Sequence, residues 1–172
     1  MSLGNFKNRF VQRAYEKELK LSPNSRTPNA NKIFTVGVLT SDEYSSYFNI
    51  VENIQEVLGA VRNVHMYSYR KFDNSDEKSY KHFTAKDFNW RARVIDASLE
   101  TFLETPFDLL IGYFDDTQLY LELATLRSKA MFKVGFSGVN DRLFDLVIAE
   151  KPENILSFNN EIHKYLGLLQ KI

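Results

Sequence analysis

The chain has 172 residues, equal numbers of basic and acidic side chains (22 each) and no cysteine. This length is sufficient for one domain with its own hydrophobic core, and the lack of cysteine excludes disulfides, thiolate metal sites and cysteine nucleophiles. Since the sequence also shows no signal-peptide core and no apolar stretch of bilayer length, it predicts a soluble cytoplasmic protein that makes no membrane contact.

The neutral total charge conceals an uneven distribution along the chain. Residues 1–32 carry a net charge of plus five, whereas residues 94–126 contain no Lys or Arg and carry minus seven. A basic segment on an acidic body predicts that the two dock, in the same chain or in a second copy. The alternative is that both are solvated faces that never meet.

The N-terminal part, residues 1–31, is predicted to be a helical arm with a linker. Residues 5–20 show helical spacing of apolar side chains, with basic side chains around the rest of the helix. The predicted apolar side holds Phe6, Phe10, Ala14 and Leu19. Two prolines and several turn formers at residues 22–29 indicate a linker, so the compact domain is predicted to be residues 32–172.

Alternating strand and helix patterns in the remaining chain predict an α/β fold. Strands are predicted at residues 33–39, 64–69, 107–114, 132–136 and 144–149. Helices are predicted at about residues 43–58, 94–104, 117–129 and 153–170, with Ile95 and Leu169 among their inward-facing side chains. Residues 70–93 are polar and irregular, and are predicted to be a surface insertion pinned by its aromatic side chains.

Two of the predicted strands repeat one motif. Residues 107–111 read Phe-Asp-Leu-Leu-Ile and residues 144–148 read Phe-Asp-Leu-Val-Ile. Short apolar runs of this kind are typical of strands that are buried on both faces, in a sheet covered by helices on both sides. Asp108 and Asp145 stand at the beginnings of their strands, whereas ligand sites lie beyond the carboxyl ends, so we expect a strand-entry role for both aspartates.

The connection between the last two strands decides the predicted topology. Residues 137–143 are too few for a parallel crossover, which needs roughly ten or more, so the fifth strand is expected to run antiparallel at the sheet edge. With right-handed crossovers elsewhere, the predicted fold is a three-layer sandwich around a mostly parallel five-stranded sheet of flavodoxin-like or Rossmann-like order 2-1-3-4-5. Glycines within the strands, Gly37, Gly112 and Gly135, indicate close approach of a helix or a ligand.

Polar side chains follow three of these strands and form the candidate ligand site. The candidates are Thr40, Ser41, Asp42, Asp115, Asp116 and Ser137. The first and third strands are neighbours at the predicted switch point, where α/β sheets bind ligands, and carboxylates there suit Mg²⁺ or a basic group. The alternative is helix capping, because Asp115 with Gln118 fits a capping box.

Motifs with a more specific chemistry are absent from the sequence. There is no Gly-x-Ser-x-Gly elbow, no Walker loop and no Gly-x-Gly-x-x-Gly, and His65, His82 and His163 share no ligand spacing. The sequence therefore predicts no catalytic residue, no metal site and no cofactor. The sequence pI of about 6.8 argues against nucleic-acid binding, although residues 80–93 mix aromatic and basic side chains.

Several segments together resemble a known family. They are residues 34–39, 87–90, 107–111, 128–136 and the final helix, of which residues 128–135 are the most recognisable. They resemble a family of uncharacterised Bacteroidetes proteins of about this length, and the likeness covers most of the chain. The resemblance implies a bacterial cytoplasmic α/β protein and names no activity.

A weaker likeness is to phosphoacceptor receiver domains. The matching positions are Asp42 and Glu43 after the first strand, Asp115 after the third, Ser137 after the fourth, and Lys151 with Pro152 after the fifth. A receiver has a helix between its last two strands, for which this chain has no room, and an antiparallel last strand would carry Lys151 to the opposite end of the sheet. We therefore expect that Asp115 is not a phosphoacceptor.

These observations favour a non-catalytic α/β domain that acts through protein contacts. Its partner is expected to be another protein or a second copy of this chain, bound through the amphipathic N-terminal helix. The alternative is a small-ligand or phosphoryl-handling domain that uses the carboxylates at the switch point.

Overall fold

A computed structural model describes residues 3–22, 32–59, 61, 63–71 and 81–172, and within them the chain forms six strands and six α-helices. The strands are β1 (Thr35–Ser41), β2 (Asn63–Arg70), β3 (Lys81–Thr84), β4 (Leu109–Tyr113), β5 (Lys133–Phe136) and β6 (Leu146–Ile148). The helices are α1 (Leu3–Leu21), α2 (Asp42–Tyr47), α3 (Ile50–Leu58), α4 (Ala97–Glu104), α5 (Leu119–Arg127) and α6 (Ile155–Leu168). Most of the predicted linker and the first part of the predicted insertion lie outside the described residues.

All six strands run parallel in one sheet, in the order β3-β2-β1-β4-β5-β6. The α/β fold is confirmed, and the predicted order 2-1-3-4-5 is present as β2-β1-β4-β5-β6. The strand β3, which comes from the predicted insertion, adds a sixth strand beside β2. The direction of winding reverses between β1 and β4, so the carboxyl ends of these two strands form the switch point.

The prediction of an antiparallel last strand is wrong. β6 pairs parallel with β5, with Val134 opposite Leu146 and Phe136 opposite Ile148. Because β6 begins later than predicted, the connection is longer, and it contains one turn of 3-10 helix at Asp141–Leu143 instead of an α-helix. Leu143 and Phe144 are buried on the sheet face that carries α5, so they fill the layer in which a crossover helix would lie.

Hydrophobic cores on the two faces of the sheet give the predicted three layers. Leu39 and Leu110 face one core, which α1, α4 and α5 complete. Val38 and Ile111 face the other core, which α3 and α6 complete. No helix in the described part of the chain combines the length and apolar character that crossing a bilayer requires.

Three details of the predicted helices are wrong. The predicted helix at residues 43–58 is divided, because the extended backbone of Phe48 separates α2 from α3. The Phe48 ring stacks on Tyr44 and contacts Tyr113, so packing of this ring favours the break. Ile95 precedes α4 and Leu169 follows α6, and their side chains are 63% and 46% exposed instead of facing inward.

The helix α1 packs against α5 of the same chain. Val11, Tyr15 and Leu19 are its buried apolar side chains, whereas Phe6, which the spacing placed on the inner side, is exposed. An ion pair at this interface has the opposite polarity to the overall charge distribution: Glu18 of α1 accepts two hydrogen bonds from the Arg127 guanidinium, at 2.9 and 2.6 Å. Buried apolar contacts, more than the basic charge of the arm, therefore hold α1 in place.

Aspartates of the repeated motif fasten the starts of neighbouring strands. The Asp108 carboxylate, just before β4, accepts hydrogen bonds from the backbone N–H and the hydroxyl of Thr35, at 3.0 and 2.8 Å. The Asp145 carboxylate, just before β6, accepts one from the backbone N–H of Lys133 at 2.7 Å. Both aspartates thus have the expected strand-entry role, and each fixes the register of an adjacent strand.

The phenylalanines of the same motif explain the strand glycines. A Cβ added to Gly37 in β1 would lie 2.7 Å from the Phe107 ring, and one added to Gly135 in β5 would lie 2.3 Å from the Phe144 ring. The Phe144 ring also occupies the space beside Gly112 in β4. The close approach that the glycines indicated is therefore made by aromatic side chains and not by a helix backbone.

Buried tyrosines predict that the domain loses stability in alkaline solution. Burial raises the pKa of Tyr69 from 10.0 to about 12. Burial, and then a hydrogen bond to Glu122, raise the pKa of Tyr15, so both phenols keep their protons in the folded chain at a pH where the unfolded chain releases them. This contribution is complete below pH 10 and declines as the pH rises toward 12. Urea unfolding at about pH 8 and about pH 11 is expected to show a lower midpoint at the higher pH. An unchanged midpoint would contradict the predicted loss of stability in alkaline solution.

Candidate functional site

The carboxyl ends of β1 and β4 lie side by side at the switch point. Leu39 pairs with Gly112 and Thr40 with Tyr113. Thr40 is fully buried, and its hydroxyl donates to the Tyr113 carbonyl oxygen at 2.9 Å. Ser41 caps α2, since its hydroxyl oxygen accepts a hydrogen bond from the Tyr44 amide at 3.4 Å. The Thr40 hydroxyl therefore links the ends of β1 and β4, and the Ser41 hydroxyl caps the start of α2.

Each of the two nearest carboxylates is bound to a group of the same domain. Asp42 pairs with the Arg70 guanidinium, which is buried at the end of β2, with 3.3 Å between Oδ1 and Nε. Asp115 accepts a hydrogen bond from the Tyr44 hydroxyl at 2.6 Å. Burial first, and this hydrogen bond second, raise the pKa of Tyr44, so the phenol remains a donor. The two carboxylates thus have separate partners, Arg70 of β2 for Asp42 and Tyr44 of α2 for Asp115.

The capping role predicted for the second pair of acids is wrong. The helix α5 begins at Leu119 with Gln118 as its N-cap, and no side chain makes the capping hydrogen bond. Asp116 is exposed and accepts a hydrogen bond from the Gln118 amide at 2.7 Å, so the predicted capping box is not formed. The chain needs three further residues after Asp115 before helical backbone begins.

The last candidates also lie at this edge of the sheet. Ser137 follows β5 and is exposed, and the next residue, Gly138, has a φ of +107° and approaches the Asp115 carbonyl oxygen. Because β6 runs parallel, Lys151 follows it at the same edge, so the reason given above for separating this lysine from Asp115 is wrong. Among the described residues, no three His, Asp or Glu side chains come together as metal ligands.

We still expect Asp115 to remain unphosphorylated, now because of its hydrogen bond to Tyr44. The carboxylate oxygen is occupied by a phenol, and the other acid of the site, Asp42, is held by Arg70. Incubation with acetyl phosphate and Mg²⁺ is expected to leave the intact mass unchanged. An adduct that forms on the parent chain and not on Asp115→Asn would contradict this expectation.

An exposed aromatic cluster lies away from the switch point, and we call it the Trp90 surface. It consists of Phe6 and Phe10 of α1 and of Trp90 and Arg91, which lie in a turn before α4. Phe6 and Trp90 are 59% and 56% exposed. The Phe10 ring lies between them, 4.9 Å from Phe6 and 6.1 Å from Trp90, and the Arg91 guanidinium lies 4.6 Å from the Trp90 ring. Aromatic and arginine side chains in one exposed patch are typical of protein interfaces.

The turn that carries this tryptophan is held in one conformation. An antiparallel bridge joins Phe88 to Val94, and the Asn89 side-chain oxygen accepts hydrogen bonds from the backbone N–H groups of Arg91 and Arg93. Ala92 is fully buried with a φ of +60°, and its carbonyl oxygen accepts a hydrogen bond from the Arg127 guanidinium. This turn is a preformed feature of the domain, which lowers the ordering cost of binding.

Residues within the predicted insertion divide into anchors and exposed side chains. Phe83 and Phe88 are buried and contact each other, and Phe88 also contacts Tyr120 of α5. They pin the segment as predicted, whereas Trp90 does not. Composition gave no signal for this difference, because it depends on the backbone of the turn.

Comparison with known proteins places the whole of this architecture in one family. The family match extends over residues 7–169, which takes in most of α1 together with the sheet and its helices. The chain belongs to DUF6913, a family of unknown function. No curated protein and no solved structure matches this DUF6913 chain. The resemblance found in the sequence is thus confirmed at the level of the family.

Proposed function

We propose that this chain is a non-catalytic binding domain that recognises a protein partner through the Trp90 surface. The observation that carries the proposal is the exposure of Phe6 and Trp90 on two elements whose positions are fixed by the core. The helix α1 is anchored by three buried side chains, and the turn is anchored by Phe88 and Ala92. A rigid, exposed aromatic pair of this kind supports recognition more than it supports folding.

Charge indicates which kind of protein segment would fit. Exposed basic side chains stand on both elements of the Trp90 surface, namely Arg9, Arg13, Arg91 and Arg93. An acidic segment with an aromatic or large aliphatic anchor would pair its charges with these side chains and bury its anchor between the rings. A second copy of this chain is one source of such a segment, and another protein is the other.

The switch-point carboxylates support the alternative function less strongly. A ligand or phosphoryl group bound at Asp42 and Asp115 would have to displace Arg70 and Tyr44 from them. The ligand site at this edge, the cytoplasmic location and the bacterial origin all stay predictions. The absence of catalytic activity is likewise part of the proposal.

Selection of peptides from a random library displayed on phage, against the full chain, tests the proposal. The selected peptides are expected to be acidic and to contain Trp, Phe or Leu. Trp90 is the single tryptophan of the chain, so peptide binding is expected to shift its emission to shorter wavelength. The variants Trp90→Ser and Phe6→Ser are expected to weaken binding, followed by the anisotropy of a labelled peptide, at least tenfold.

A matched control removes another exposed aromatic side chain. Tyr47 of α2 is 80% exposed and lies on another helix, so Tyr47→Ser is expected to leave peptide binding unchanged. The proposal is wrong if the selected peptides bind Trp90→Ser as tightly as the parent chain. It is also wrong if vesicles of anionic lipid or a single-stranded oligonucleotide shift the Trp90 emission and no peptide does.

A further inference from the structure

A cleft opens beside the amino-terminal half of β2, separate from both the switch point and the Trp90 surface. The strand β3 pairs with β2 only over Tyr67–Arg70, so it does not extend along the first half of β2. The cleft has a volume of about 540 Å³, and α4 forms one of its walls. That volume lies within the range of about 300–1,000 Å³ that small-molecule sites occupy.

Four rings form a continuous aromatic wall in this cleft. The Tyr67 ring lies 4.9 Å from the Phe102 ring, the Phe102 ring 5.0 Å from the Phe107 ring, and the Phe107 ring 5.7 Å from the His65 ring. Tyr67, Phe102 and Phe107 are fixed in the core and are only 4%, 5% and 3% exposed, so each contributes a small part of its surface to the cleft, whereas His65 is exposed. A wall of fixed rings is suited to a flat aromatic ligand, which gains both burial and ring contacts.

Hydroxyl groups of α4 and of its C-cap contribute polar atoms to the same cleft. Ser98, Thr101 and Thr105 all line the cleft. The Ser98 oxygen accepts a hydrogen bond from the Tyr67 hydroxyl at 2.6 Å, and the Thr101 hydroxyl donates to the Ala97 carbonyl oxygen at 2.8 Å. The Ser98 and Thr101 oxygens therefore retain lone pairs that can accept further hydrogen bonds, while their positions are fixed.

One cation lines the cleft among the described residues. The Lys81 ammonium lies 5.8 Å from the centre of the Tyr67 ring and forms no ion pair with a described residue. Two described carboxylates near Tyr67 each accept a hydrogen bond in their own segment, Asp96 from the Leu99 amide at 2.6 Å and Asp87 from the Thr84 amide at 2.7 Å. Neither of these acids lines the cleft, so Lys81 is available to a ligand anion.

We propose that this cleft binds a planar aromatic carboxylic acid. The ring lies against the wall of Tyr67, Phe102, Phe107 and His65, and the carboxylate pairs with the Lys81 ammonium. This site is independent of the Trp90 surface, because the two share no residue. Its occupant is therefore a small molecule and not the protein partner.

Titration of the ¹⁵N-labelled full chain with 2-naphthoate, followed by amide chemical shifts, tests the proposal. The amides of residues 64–67 and 98–105 are expected to move. Lys81→Met is expected to weaken 2-naphthoate binding at least tenfold and to leave binding of the neutral analogue 2-naphthylmethanol unchanged. Equal binding of 2-naphthoate to Lys81→Met and to the parent chain, or shifts confined to another part of the domain, would overturn the proposal.

A second lysine provides the matched control. The Lys164 ammonium lies 5.3 Å from the Tyr165 ring on α6, which packs on the other face of the sheet. Lys164→Met therefore removes an ammonium that also lies beside a tyrosine ring, one that is paired with Glu161 at 3.1 Å, without touching the cleft. It is expected to bind 2-naphthoate as the parent chain does, and a tenfold loss in this variant as well would show that general charge, not Lys81, governs binding.

Discussion

Replacing Gly135 with alanine is expected to lower the free energy of unfolding by about 3 kcal/mol, at the upper end of the usual cost of overpacking. The new Cβ would lie 2.3–2.5 Å from three atoms of the Phe144 ring. The ring is buried and sits beside Gly112 as well, so it cannot move away without disturbing β4. Urea unfolding measured by circular dichroism provides the value.

A double-mutant cycle separates this clash from a general effect of alanine in a strand. Phe144→Leu removes the atoms that meet the new Cβ, so Gly135→Ala is expected to cost less in that background than in the parent chain. Gly167→Ala is the matched control, because nothing lies within 4 Å of a Cβ at this exposed helical position. It is expected to stabilise the chain by about 0.5–1 kcal/mol. Equal costs for Gly135→Ala in both backgrounds would show that the Phe144 ring is not the cause.

Removal of residues 1–31 is expected to lower the free energy of unfolding further, by on the order of 5 kcal/mol, since burial of a large apolar side chain contributes about 2 kcal/mol. Val11, Tyr15 and Leu19 would be lost from the core, and Leu123 and Ala124 of α5 belong to that same core. The shortened chain is also expected to elute earlier than its mass predicts in gel filtration, because the uncovered face of α5 promotes association. Unchanged stability and elution would show that α1 adds nothing to the fold.

Charge reversal on the outer side of α1 is the control for this truncation. Arg9 and Arg13 are exposed, so Arg9→Glu with Arg13→Glu is expected to change the free energy of unfolding by less than about 0.5 kcal/mol. The same pair of substitutions reverses the charge beside the Trp90 surface, and it is expected to weaken binding of acidic peptides. The truncation and the charge reversal are therefore expected to separate the role of α1 in stability from its proposed role in recognition.

The sequence predicted the four inner strands and the edge strand β6, but not the edge strand β3. β1, β4 and β5 contain mostly apolar residues, because all but the first position of β1 are buried. β3 has two exposed side chains in four residues, Lys81 and His82, so it has no apolar pattern and forms only because β2 offers it a partner. The sequence also predicted the wrong direction for β6. The connection from β5 contains a turn of 3-10 helix, which needs fewer residues than the α-helix that a parallel crossover usually contains.

The position of the candidate site could be predicted, but the partners of its residues could not. The strand order alone places Asp42 and Asp115 beside the switch point. Their actual partners come from other elements, Arg70 from the end of β2 and Tyr44 from α2, and side-chain geometry decides those pairings. Net charge likewise failed to predict the Glu18–Arg127 pair, because a sum over a segment counts side chains that point into water.

The aspartates before β4 and β6 have a consequence for how this domain tolerates change. Both bind backbone at the amino-terminal edge of the sheet, where they set the alignment of β1 with β4 and of β5 with β6. The alignment of these strands is therefore fixed by contacts at the amino-terminal edge of the sheet, not at the opposite edge. We therefore expect loops at that opposite edge to tolerate changes in length and sequence while the strands keep their places, which would let this scaffold acquire different specificities.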